Sequence, residues 1–251
     1  MNFHNFLTKN AWLHIKNLAL KMGIVVTRNS TLAQIKELAY SEHYKDYTFK
    51  LQERILEQST GVIHIGAHIG QEREIYFKSG VKVIWVEADP EIHKQLVNNI
   101  KTYVNQEAVC ALVGQDQLES RKFYISSNSG KSSSVFELGA DVIHPNLSMV
   151  NTRTLPTETI FSLFSKRDLS DYNYWVFDIQ GAELEALKGA QDLINICFII
   201  KIEVSNREEY KGGANFEQVK NFLATKGFIP LWLPAKNGHE DLIFVRTKPV
   251  W

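Results

Sequence analysis

The chain predicts an α/β fold, an open and mostly parallel sheet with helices on its faces, and three observations lead there. The first is Gly61-Val62-Ile63-His64-Ile65-Gly66-Ala67-His68-Ile69-Gly70, a buried strand running into a glycine-containing turn. The second is Val81–Val86, a continuous apolar run of the kind a central parallel strand needs, followed by Glu87. The third is the return of such runs at Tyr174–Phe177 and Phe198–Val204, with helical patterns between them. In this kind of sheet the turn lets a nucleotide-like ligand approach backbone, and the acid stands where its ribose lies. Glu87 falls 21 positions after Gly66 (87 minus 66), close to the roughly 20 of a dinucleotide fingerprint.

Taken in order, residues 1–60 read as a helical arm and 61–251 as the main domain. Phe3, Phe6, Leu7, Leu13 and Leu18 recur at helical spacing, Asn29-Ser30-Thr31 offers caps for a second helix, and 47–58 make a third. Beyond strand one, Ile69–Lys78 suits a helix ended by Ser79-Gly80. Asp89-Pro90 opens a helix over Glu91–Val104, with proline suited to the first turn. Ala108–Val113 reads as the third strand and Arg121–Ile125 as an edge strand. The polar run SSNSGKSSS (126–134) is either a flexible loop or a lid over the sheet edge. A strand at Asn151–Thr154 and a helix at Glu158–Ser165 come next. Then follow the strand Tyr174–Phe177, a helix over Ala182–Leu193, the strand Phe198–Val204 and a helix over Phe216–Thr225 stopped by Gly227. Phe228–Leu233 and Leu242–Val245 close the chain as a candidate antiparallel hairpin.

The totals narrow the function. The 251 residues are 44% hydrophobic and 22% charged, ordinary for one globular domain with an appendage. Twenty-eight basic residues balance twenty-eight acidic ones, so no overall field points to nucleic acid. The balance is uneven along the chain: Lys9, Lys16, Lys21, Arg28 and Lys36 precede the first acid, Glu37. That arm is either a solvated helical face or a contact for anionic lipid. Cys110 and Cys197 lie in apolar runs and read as buried free thiols, without zinc-site spacing. There is neither a secretory h-region nor an apolar stretch near 20 residues, which suits a cytoplasmic protein.

Ligands of open α/β sheets bind beyond the carboxyl ends of the strands, and the polar candidates collect there. His64 and Gly66-Ala67-His68 end strand one, Glu87-Ala88-Asp89 ends strand two, and Ala111 in the third strand joins the cofactor-facing set. Asp178 ends strand four and Glu203 lies near the end of strand five. His239, Glu240 and Asp241 precede the last strand. Asp178 could equally be a helix N-cap, Glu203 an ion-pair partner of Lys201 or Arg207, and His239 an ordinary loop histidine. Trp85, Trp175 and Trp232 are read as core before sugar-stacking groups.

These residues resemble the FkbM family of S-adenosylmethionine-dependent methyltransferases. The likeness rests on IHIGAHIGQE (63–72), VEADP (86–90), the serines 132–134, FDIQGAELEALKGA (177–190), IKIEVS (200–205) and HEDLIFVR (239–246). The resemblance implies a Rossmann-like, class I methyltransferase sheet of seven strands with the last antiparallel. It also implies S-adenosylmethionine as cofactor and O-methylation, often of a sugar or natural-product hydroxyl. It matches Gly66, Ala67 and Gly70 to the cofactor loop and Glu87 to the ribose acid. Asp178 matches an acid facing the methionine end or the acceptor. Where His64 stands the family usually has an acid, and where His68 stands commonly Asn. A neutral His64 could accept from the cofactor's ammonium, whereas a protonated one would repel it, so affinity is expected to fall below pH 6.5 or so. Leu155-Pro156 replaces a frequent Leu-Asp, and Pro156 receives no role.

For the chemistry, Asp178 is the first choice as general base, with Glu203 or His239 assisting. Ser132, Ser133, Ser134 and Asp241 are the acceptor-side candidates, with His144 and His68 as further ones. Asp178, Glu203 and Asp241 together could hold Mg²⁺, although no contiguous ligand motif supports a metal. Two other classes stay open at this point. One is a nicotinamide-dependent oxidoreductase, which the missing G-x-G-x-x-G weakens. The other is a non-catalytic nucleoside-binding module held at a membrane by the basic arm.

Overall fold

In the computed structural model, residues 52–142, 145–234 and 238–247 are described. The three helices expected over 1–58 fall outside this range except for the turns at 52–57, as does His144. The elements are β1 (Gly61–Ile65), α1 (Arg73–Lys78), β2 (Lys82–Glu87), α2 (Pro90–Ile100), β3 (Gln106–Cys110), β4 (Leu112–Val113), β5 (Leu118–Ser126), β6 (Met149–Glu158), α3 (Ile160–Phe164), β7 (Tyr174–Phe177), α4 (Glu183–Gly189), a 3₁₀ turn (Gln191–Ile196), β8 (Ile199–Ser205), α5 (Phe216–Thr225), β9 (Phe228–Pro230) and β10 (His239–Arg246).

Seven strands form one sheet in the order β3-β2-β1-β7-β8-β10-β9. β3, β2, β1, β7 and β8 are parallel neighbours, and β10 runs antiparallel to both β8 and β9. The closing hairpin expected at the chain end is therefore present. Strand alternation sorts the apolar side chains onto two faces. Ile63, Ile65, Ile84, Val86, Trp175 and Phe177 pack on one face with α3, α4 and α5. Val62, Val83, Trp85, Tyr174 and Val176 pack on the other, beneath Tyr76 of α1, Leu96 and Ile100 of α2, and Ile55 and Leu56. Trp85 and Trp175 are fully buried, so both belong to the core and cannot stack on a ligand.

The expected third strand divides at Ala111. Residues 106–110 complete the main sheet, whereas Leu112–Val113 join a second, three-stranded sheet in the order β4-β6-β5. That small sheet rises past the carboxyl edge of the main one, and the serine segment follows β5. Cys197 is buried, as its apolar run suggested, but Cys110 is exposed at the end of β3. Asp89 caps α2, its side chain accepting from the Glu91 amide at 2.8 Å, with Pro90 at the first helical position.

Candidate active site

Beyond the ends of β1, β2 and β7 lies a cleft of about 550 Å³. Ile65, Gly66, Val86, Glu87, Ala88 and Ala111 line one side of it, and Phe123 of β5 with Gly130, Lys131 and Ser133 of the serine segment border the other. Asp178, Ile179 and Gln180 complete the wall. Gly66 is required by geometry: its φ is +89°, and a Cβ there would lie 1.8 Å from the carbonyl oxygen of Asp178. Its amide and that of Ala67 both donate to the Val86 carbonyl, at 2.9 and 3.0 Å, which draws the turn against β2.

Glu87 faces this cleft with each oxygen already holding one backbone N–H. The His68 amide donates to Oε2 at 2.7 Å and the Asp89 amide to Oε1 at 2.8 Å. Burial pushes its carboxyl up to about 7 against the pull of those amides. His68 ties the turn to the serine segment. Gln71 Nε2 lies 2.9 Å from His68 Nδ1, which leaves Nε2–H to donate to the Ser129 carbonyl at 2.9 Å.

Three cofactor candidates point elsewhere. His64 turns to the opposite face, because Ile63 and Ile65 occupy the cleft side of β1. It is 5% exposed, stacked on Trp85 with centroids 4.9 Å apart, and its Nδ1 lies 3.1 Å from the Tyr76 hydroxyl. Burial lowers its pKa to about 4, so the expected loss of affinity through His64 near pH 6.5 is overturned. Gly70 packs on α2, where a Cβ would meet Leu96 at 2.8 Å. Asp89 is committed to the α2 cap and to Arg153, 3.3 Å away.

The catalytic candidates come together as a chain. Gln180 Nε2 donates to Asp178 Oδ1 at 2.6 Å and to Glu203 Oε2 at 2.7 Å. His239 Nε2 lies 2.8 Å from Glu203 Oε1, and its Nδ1 is 2.9 Å from Glu209, out of line for a hydrogen bond. Hydrogen bonding to Glu203, opposed by partial burial, pushes His239 up to about 9. Asp178 is open to the cleft on one side; the protein packed around the rest of it, and after that the charge of Glu203, push its carboxyl up to about 7.

Asp241 does not reach this chain; its carboxylate pairs with Lys201 at 2.7 Å. Among the described residues no group of three or more His, Cys, Asp or Glu could hold a metal, so the three carboxylates do not converge on Mg²⁺. The serines serve the loop first. Ser134 is buried and donates to the Gln180 carbonyl at 2.7 Å, while the Ser132 amide donates to Ser126 Oγ at 3.0 Å. Ser133 lines the cleft and accepts from the Ser126 amide at 3.1 Å.

Beside Glu203 opens a second pocket of about 350 Å³, lined by Glu183, Ser205, Glu209, Tyr210 and His239 among others. Sequence reasoning missed Gln180, Glu183, Glu209 and Tyr210 as site residues. Gln180 and Glu183 lie inside the quoted DIQGAE segment and were within reach. Nothing in local spacing marks Glu209 or Tyr210, which the loop after β8 brings in.

A family model described as the methyltransferase FkbM domain matches residues 64–230. The chain belongs to the FkbM methyltransferase family. The protein is thus an S-adenosylmethionine-dependent methyltransferase with the class I Rossmann-like fold, and the nicotinamide alternative lapses. Among solved structures it is similar to magnesium protoporphyrin IX methyltransferase from Synechocystis PCC 6803 with bound SAM. That pair shares 9% identity over 96% of this chain and 94% of the other, with a TM-score of 0.42. It is also similar to a SAM-dependent methyltransferase from Aquifex aeolicus (13% identity, 86% and 97% covered, TM-score 0.42). No curated protein sequence matches. Among the described residues no helix is long and apolar enough to cross a membrane.

The residues of the cleft fit the cofactor. Glu87's oxygens keep lone pairs beyond those given to the two amides, as a ribose diol requires. Apolar side chains of Val86, Ala111, Leu112 and Phe123 offer walls for a base.

Proposed function

We propose that this methyltransferase transfers the methyl group to a hydroxyl oxygen of a sugar, glycan or natural product, with Asp178 as general base. The observation that carries the reading is a cleft-facing carboxylate, Asp178, with its titration raised to about 7 and joined through Gln180 to Glu203. A base poised near neutral pH takes a proton most effectively while still being largely available.

When bound, S-adenosylmethionine supplies a methyl group on a positively charged sulfur. Glu87 would hold its ribose and the Gly66 turn would admit its backbone-proximal edge. Asp178 would accept the proton of the acceptor hydroxyl as that oxygen takes the methyl carbon, the carbon–sulfur bond breaking to leave a neutral thioether. Most of the acceleration then comes from alignment in a walled cleft. His239, charged beside Glu203, orients that carboxylate rather than competing for the proton. The second pocket supports a hydroxyl-rich acceptor, since the carboxylates of Glu203 and Glu209 line it and can accept from hydroxyl groups. Ser133 and Lys131 border the cleft from the other side.

Incubation with methyl-labelled cofactor and a panel of glycans, nucleotide sugars and small alcohols tests the reading. Label on an oxygen, lost with Asp178→Asn, supports it. Label carried by nitrogen or carbon acceptors alone contradicts it.

A further inference from the structure

Directly after β7 the chain makes a tight turn in which Gln180 takes φ +57° and Gly181 φ +98°. A left-handed backbone at a residue with a side chain is uncommon and persists where its surroundings hold it. Here the surroundings are specific. Gln180 is 9% exposed, and both hydrogens and the oxygen of its side-chain amide are in use. The nitrogen donates one hydrogen to Asp178 Oδ1 at 2.6 Å and the other to Glu203 Oε2 at 2.7 Å. The carbonyl oxygen accepts from the Tyr210 hydroxyl at 2.5 Å.

An amide can be turned end for end, and its neighbours decide which end goes where. With the carbonyl toward β7 and β8, Gln180 would set its oxygen against two carboxylates. With the nitrogen there, each carboxylate finds a donor, and the Tyr210 hydroxyl finds the acceptor it needs on the far side. Tyr210 is buried and comes from the loop after β8, so it locks the orientation from outside the turn. Occupied at Oδ1, Asp178 has Oδ2 left without a partner among the described residues, and the side chain lines the cleft.

We propose that Gln180, locked by Tyr210, is a positioning residue that turns Asp178 Oδ2 toward the methyl acceptor and ties that carboxylate to Glu203. The inference rests on the assignment of Asp178 as base. Several charged groups act on Asp178: Glu203 and Lys201 from β8, Asp241 from β10, and Glu183 from α4, with His239 of β10 reaching it only through Glu203. Lys201 is paired with Asp241, and His239 with Glu203. The neutral Gln180 amide is the donor that directly favours the ionised form of Asp178.

The test uses the full chain with aspartate labelled by ¹³C at the side-chain carboxyl, followed by NMR against pH. The Asp178 signal is the one lost in Asp178→Asn. In Gln180→Leu the Asp178 midpoint should rise by about one pH unit, a tenfold change in acidity, because a donor to the charged form is gone. In Tyr210→Phe, where the amide is freed to turn, it should rise in the same direction by roughly half as much. Midpoints equal to the native one in both variants overturn the proposal. If Gln180→Leu does not fold, Tyr210→Phe decides alone. Failure of the base assignment looks different: Asp178→Asn would keep full methyl transfer whatever the titrations show.

Discussion

Glu87 is the residue whose chemistry most directly governs cofactor affinity. A carboxylate accepts from a sugar diol better than a carboxyl group does, and burial holds Glu87 protonated until about pH 7. Affinity for S-adenosylhomocysteine should therefore weaken as pH falls below about 7, and Glu87→Gln should flatten that dependence. Calorimetric titrations at pH 6 and pH 8 or so would check both. The sequence placed this dependence on His64; strand alternation removes it, since a residue between Ile63 and Ile65 must face away from the cleft. Asp178→Asn keeps shape and loses the base, so methyl transfer should fall by about 10²-fold or more while cofactor binding holds. Steady-state rates beside calorimetry separate the two.

At the scale of elements, the turns after β1 and β7 are packed against one another. Gly66→Ala would drive a methyl group into the Asp178 backbone, 1.8 Å from its carbonyl oxygen, and strain a φ of +89°. It should cost on the order of 3–5 kcal/mol and lower the melting temperature by roughly 10 °C. Gly80 is the control: its φ is +72° but nothing lies within 4 Å, so Gly80→Asn should cost less than about 1 kcal/mol. The parallel strands were legible because both faces are covered, which makes them short apolar runs, and the acids at their ends follow from the same rule. The division at Ala111 was not legible, since 108–113 is one apolar run and the switch of sheets depends on β6, some forty residues away. The serine segment reads as polar in sequence, yet Ser126, Asn128 and Ser132 are bonded to one another, and Ser134 is spent on the Gln180 carbonyl.

Across the whole molecule, the acids of the site work against stability at neutral pH. Glu183 is buried beside Glu203 and accepts from the amides of Ile179 and Gly181 at 3.0 and 3.2 Å. Burial first, and Glu203 second, raise its carboxyl from 4.5 to about 8. Below its unfolded value the group is protonated in both states and costs nothing. As pH rises from there to about 8 the unfolded chain ionises while the fold retains the proton, so stability is progressively lost. Glu183→Gln keeps an acceptor for both amides and does not titrate. Its advantage over the native protein should grow across that window to a few kcal/mol or so, read as a widening gap in melting temperature.

The central claim is that the cleft at the ends of β1, β2 and β7 holds the methyl donor through Glu87. Isothermal calorimetry of S-adenosylhomocysteine against the native chain and Glu87→Ala tests it most directly. The account expects one site on the native chain and affinity weaker by roughly ten- to a hundredfold in the variant, the worth of charge-assisted hydrogen bonds. No heat with the native chain, or equal affinity in both, would contradict it.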